Sequence, residues 1–207
     1  MTRGLLLSLA LALFAPLAIA QTAPTPVVTP SPLLPRVAIE TSVGRIVVEI
    51  ETGRAPVTAA NFLKYVDQKR LDGITFYRTV KVADHFGFVQ FGVNGDARRV
   101  LPPIRHEATT ATGIRHLDGV LSMPRREPGT AQGEFTIMVG DQPSMDADPT
   151  RPGDTLGYAA FGRVVEGMDV VLKIFDAAVS PTATIRGGFR GEVPAAPVKL
   201  LTARRVK

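Results

Sequence analysis

The amino-acid sequence predicts a mainly-β fold, an antiparallel barrel or sandwich carrying two helices. Three observations lead there. Short segments with side chains alternating at a period of two recur about seven or eight times along the chain. Glycine, proline, asparagine and aspartate separate them. Only two stretches show helical spacing, and they do not alternate with the strands as the crossovers of a parallel sheet would require.

Taken in order, residues 37–41 and 45–50 form a hairpin across Ser42-Val43-Gly44. Ile46, Val48 and Ile50 share one face of the second strand and Glu49 takes the other. The first helix starts at Ala55-Pro56, where proline lacks an N–H that would have no partner anyway. Phe62, Tyr65 and Val66 recur at helical spacing, Lys69 and Arg70 sit at the end, and Gly73 follows. Strands are expected at 74–80, 86–91, 119–123, 134–139 and 158–164. Residues 167–175 form the second helix, with Met168, Val171, Leu172 and Phe175 on its apolar stripe. Residues 176–197 make a Pro- and Gly-containing loop, unusually long for a compact domain. Residues 198–206 close the fold as a last strand.

The first 35 residues stand apart. Residues 1–20 carry the marks of a secretory signal: Arg3, an apolar run from Leu5 to Phe14, and the small-residue site Ala18-Ile19-Ala20, with cleavage expected after Ala20. The run is short and Pro16 interrupts it, so an uncleaved anchor is the lesser alternative and no stable membrane insertion is expected once the signal is removed. Residues 21–35 read as an extended proline-rich linker. Residues 36–207 then form one domain with a single core. The chain has no cysteine, which excludes a disulfide framework and a lipid-modified cysteine. These features predict a protein on the far side of a membrane, which for a bacterial chain is the periplasm or the exterior. The formal net charge of +5 is spread over scattered residues without interleaved aromatics. That is a solvated surface, not a nucleic-acid interface.

The informative stretch is Thr75-Phe76-Tyr77-Arg78, followed by Phe86-Gly87-Phe88-Val89-Gln90-Phe91-Gly92. Strict alternation places Phe76, Arg78 and Val80 on one face, and Phe86, Phe88 and Gln90 on one face of the next strand. A guanidinium on an apolar face is costly unless it is used or paired. Glu107 and Glu134 are the candidate partners that would merely neutralise it.

These residues, with Ala55-Pro56, Asn61-Phe62, Leu121-Ser122-Met123, Gly133-Glu134-Phe135 and 161–168, occur in the order of the cyclophilin-type peptidyl-prolyl isomerases, which the chain resembles over about 37–175 and the closing strand. The resemblance implies an eight-stranded antiparallel closed barrel capped by two α-helices, with an active groove on its outside. It implies cis/trans isomerisation of X-Pro bonds in proline-containing polypeptides, with no cofactor and no metal, by a monomer. Amide resonance sets a barrier of roughly 18–20 kcal/mol. Twisting the bond turns its nitrogen into an acceptor, so a donor aimed there stabilises the twisted state above either planar one. Arginine, always protonated and multi-donor, suits that role.

Carried over by position, the resemblance implies that Arg78 is the donor, Phe76 supports the groove, and Gln90 holds substrate backbone and steadies the arginine. Phe88, or Phe86 under a different alignment of the loop, lines the proline pocket. His116 matches a structural histidine. Met123, Pro124, Arg125, Glu134, Thr136, Met145 and Tyr158 complete the substrate groove. The sequence also departs from the family pattern. Tyr77 stands for the usual histidine, assigned by alternation to the opposite face. The loop between Arg78 and Gln90 is longer than usual. Glu134 and Thr136 replace a glutamine and a phenylalanine; the first would bring a carboxylate toward Arg78, and the second removes an apolar wall. Met145 would substitute for a missing aromatic. Two readings follow: an isomerase that assists folding of envelope or secreted proteins, or a cyclophilin-fold peptide-binding module or holdase with weak or no isomerase activity. A serine-hydrolase reading lacks the G-x-S-x-G elbow at Ser122. His85, His106 and His116 match no compact metal motif.

Overall fold

The computed structural model describes residues 34–206. The expected signal, and all but the last two residues of the expected linker, lie outside them. Eight strands form one sheet: β1 (Arg36–Thr41), β2 (Gly44–Ile50), β3 (Phe76–Ala83), β4 (Phe86–Gly92), β5 (Val120–Met123), β6 (Glu134–Val139), β7 (Ala159–Glu166) and β8 (Leu200–Val206). Helix α1 spans Pro56–Asp67, α2 is a single turn at Thr109–Thr112, and α3 spans Met168–Phe175. Among the described residues no helix is long and apolar enough to cross a membrane.

The strands run in the spatial order β3-β4-β6-β5-β7-β2-β1-β8, and neighbours pair antiparallel throughout. The sheet curls until its outer strands meet. The seam is short: one isolated bridge, Thr75–Lys199, with Leu200 N donating to Ile74 O at 2.9 Å and Phe76 N to Val198 O at 2.9 Å. The expected barrel is therefore closed by a few hydrogen bonds at one end of β3, not by a full ladder.

The core fills the inside of the curl. Phe135 on β6 sits at its centre, with ring centroids of Phe62, Tyr65, Phe91 and Phe161 at 5.0, 5.7, 5.7 and 6.0 Å. Ala55 gives α1 no side-chain cap. The Glu107 carboxylate supplies one instead, accepting from Val57 N at 3.1 Å, Thr58 N at 2.8 Å and Thr58 Oγ1 at 2.7 Å. Glu107 is thereby spent on a helix terminus and is not a partner of Arg78. On α3 the buried stripe is Val170, Val171, Ile174 and Phe175, with Met168 and Leu172 packed at its edge. It is rotated slightly from the expected one.

The expected long loop after Arg78 is an extended hairpin. β3 and β4 continue to Ala83 and Phe86 and turn through Asp84-His85, with His85 left-handed at φ 53°. Two register shifts interrupt the pairing, one between Phe76 and Arg78 and one between Lys81 and Ala83. The first shift sets up the site.

Candidate active site

Phe76 faces Phe91 across the ladder and Arg78 faces Gln90, so two residues on β3 are spent against one on β4. The extra residue, Tyr77, breaks strict alternation. Phe76 therefore points inward, buried against Phe91 at 4.9 Å between ring centroids, and does not line the groove. Tyr77 and Arg78 both reach the outer side. Alternation had placed Phe76 with Arg78 and Tyr77 opposite; the bulge reverses both assignments.

The groove on the outside of the sheet encloses about 1030 Å³. Arg78, Phe88 and Gln90 come from the β3–β4 hairpin, and Thr136 and Glu134 from β6. Pro124, Arg125, Met145 and Tyr158 form the far side. There Arg125 donates to Gly157 O at 3.0 Å, pairs with Asp154 at 2.7 Å and stacks on the Tyr158 ring at 5.6 Å. Two other expected residues are elsewhere. Phe86 begins β4 beside the hairpin turn, partly exposed, outside the groove lining. Met123 is buried on the core face, where its sulfur accepts from Asn61 Nδ2 at 3.8 Å. Its neighbour Ser122 takes the groove side.

A polar chain runs through the groove floor. Arg78 Nη1 donates to Gln90 Oε1 at 3.1 Å, and Gln90 Nε2 donates to the Tyr77 hydroxyl at 2.7 Å. The Tyr77 hydroxyl donates in turn to the Glu134 carboxylate. Register places these groups together, since Gln90 faces Arg78 on one side and Thr136 on the other. Glu134 does not approach Arg78 as expected; it is held by Tyr77. The carboxylate on Arg78 is Glu192, whose Oε2 accepts from Nε at 2.6 Å.

Burial pushes the Glu134 carboxyl above its ordinary value of 4.5. The native state then keeps a proton that the unfolded chain has already lost. This group favours folding at acid pH, and the advantage disappears as pH rises from 4.5 through the native pKa. Glu134→Gln should remove that component, so its unfolding midpoint should fall less than that of wild type across this interval. Identical pH dependence in both proteins would show that the Glu134 proton is not the source. Burial and the adjacent carboxylate also keep the Tyr77 phenol protonated.

Beneath the floor, His116 N and Nδ1 both meet Asp146 Oδ1, at 2.9 and 2.7 Å, and His116 Nε2 meets Ser122 Oγ at 2.7 Å. Burial lowers the histidine pKa and keeps the ring neutral. A carboxylate only accepts, so Nδ1 carries the proton and Nε2 accepts from the serine hydroxyl. The trio has the connectivity of a hydrolase triad, but Ser122 is 1% exposed and cannot meet an incoming carbonyl. It braces the floor.

The last wall escaped sequence reasoning. The loop after α3 folds back over the groove, where Ile185, Arg186 and Phe189 line it. Mutual hydrogen bonds of 2.9 Å between Ile185 and Gly188 close a tight turn, with Arg186 and Gly187 at φ 50° and 81°. Arg186 Nη2 donates to Asn94 O at 2.6 Å, and Thr79 N donates to Glu192 O at 2.7 Å. The Phe189 ring lies 4.0 Å from the Arg78 guanidinium carbon, and Phe88 lies at 5.4 Å. The only sequence signal was the length of the loop.

Fold and groove together define a class: an eight-stranded antiparallel curl whose outer groove holds a braced arginine beside apolar rings. A family model described as cyclophilin type peptidyl-prolyl cis-trans isomerase/CLD matches residues 36–204. The chain belongs to that family. It is 34% identical over 172 residues to a peptidyl-prolyl cis-trans isomerase of Acinetobacter baylyi, covering 81% of this chain and 84% of that one. It is 35% identical over 171 residues to one of Streptomyces antibioticus, covering 81% and 96%. A crystal structure of a Cryptosporidium parvum cyclophilin type isomerase superposes with a TM-score of 0.66 at 17% identity, covering 84% of this chain and 98% of that one. The same protein has been solved in the presence of the dipeptide Ala-Pro.

Proposed function

We propose that this protein catalyses rotation about X-Pro bonds in extended segments of envelope or secreted polypeptides, with Arg78 as the donor to the prolyl nitrogen. The observation that carries the reading is the state of Arg78: held by Gln90 and Glu192, flanked by Phe88 and Phe189, and facing an open groove. The groove gives a proline ring apolar walls at Phe88 and Met145. Gln90 stays fixed between Arg78 and Tyr77, so the donor needs no rearrangement as charge develops. The structure of the C. parvum relative with Ala-Pro supports proline-containing peptides as the ligand class. The signal-like residues 1–20 support export, and the mass of the exported protein should correspond to cleavage after Ala20.

Proline-limited refolding of a model substrate tests the activity. Uncatalysed exchange takes tens to hundreds of seconds, and substoichiometric protein should shorten that slow phase. Unaltered refolding kinetics together with measurable peptide binding would establish the binding-module reading, which the occupied Nε of Arg78 and the small Thr136 favour.

A further inference from the structure

We propose that Glu192 is a positioning residue for Arg78 in the isomerase reaction. The inference rests on the function proposed above and deepens it. A guanidinium carries five N–H donors in a planar fork. Nε is taken by Glu192 at 2.6 Å and Nη1 by Gln90 at 3.1 Å. The two bonds leave from different edges of the fork, so together they fix its place and its rotation. Nη2 has no hydrogen-bond partner among the described residues. Phe189, at 4.0 Å, covers a flat face of the guanidinium. What remains for a substrate is three in-plane donors, both N–H groups of Nη2 and the second of Nη1.

Glu192 is itself anchored next to the group it holds. Its carbonyl accepts from Thr79 N, the residue after Arg78, at 2.7 Å. The loop therefore docks on β3 by backbone and delivers its carboxylate to the adjacent side chain. A long arginine held only by Gln90 would pivot about one bond. Misplacement of a reacting group by about 1 Å costs on the order of 10²-fold in rate, so the second bond bears on the rate more than on affinity.

The test measures kcat and KM separately on an X-Pro peptide for wild type, Glu192→Ala and Glu192→Gln. Glu192→Ala should lower kcat about tenfold and leave KM within about twofold. Glu192→Gln keeps an oxygen acceptor for Nε and should recover most of the loss. Nitrogen-resolved NMR gives an independent readout. The Arg78 Nε–H signal, assigned by its disappearance in Arg78→Lys, should be protected from exchange in wild type and Glu192→Gln and unprotected in Glu192→Ala. Protection of the Thr79 amide reports separately that the loop is docked; where Ala undocks it, the Gln variant alone decides, by keeping or losing kcat. An unchanged kcat in Glu192→Ala overturns the proposal. So does an increased one, which would make the segment an inhibitory strap, and so does an equal loss in Ala and Gln. An inactive wild type would remove the function reading and this inference with it. An active wild type with an insensitive Glu192→Ala removes only the inference.

Discussion

Arg78→Ala is expected to lower kcat/KM for X-Pro isomerisation by about 10²–10³-fold, the usual cost of removing a donor aimed at developing charge. The residue lies on the groove side of β3, outside the aromatic core, so the fold should survive. Of its partners, Gln90 is buried but keeps its bond to Tyr77, and the Glu192 side chain is 31% exposed, so water can solvate it. Arg78→Lys should remain impaired by at least about tenfold, because one ammonium cannot serve Glu192, Gln90 and the prolyl nitrogen from fixed directions. Peptide exchange measured by NMR, alongside a thermal unfolding curve, separates catalysis from folding. A folded Arg78→Ala protein within about threefold of wild type would exclude Arg78 as the donor.

The largest stability effect is expected at Phe135. Its ring meets Phe62, Tyr65, Phe91 and Phe161, which joins α1 to β4, β6 and β7. Phe135→Ala should cost about 3–5 kcal/mol through lost burial and the cavity left behind. Against a typical domain stability of about 5–15 kcal/mol, that is a large share. The urea midpoint should fall with an unchanged slope. Phe135 faces the core while Thr136 beside it faces the groove, so the folded fraction should keep its kcat. A shift under about 1 kcal/mol would mean that the aromatic cluster does not organise the core.

Strands and helices were legible because their signals are local. Period-two alternation marked each strand, and Pro56 marked the start of α1. Gln90 and Phe88 were placed correctly on the groove side because the pairing of β4 with β6 is regular there. Phe76 and Tyr77 were misplaced because a bulge without a glycine leaves no trace in composition, and one extra residue reverses every face after it. Phe86 fell outside the groove because the hairpin ran longer than a loop reading allowed. Glu134 was assigned to Arg78 from strand position alone, yet Tyr77, turned outward by the bulge, intercepts it. Glu192 was invisible because its loop has no periodicity and lies 114 residues from its partner.

That separation also sets a calendar for the nascent chain. Ribosomes add roughly 5–20 residues per second, so Glu192 follows Arg78 off the ribosome by roughly 6–23 s. The seam between β3 and β8 waits still longer, for Lys199 and Leu200. Seven of the eight strands, the helices and the aromatic core are all synthesised before the clamp on Arg78 can form. Within the described residues the site is thus among the last parts of the fold to be completed, after the core that supports it.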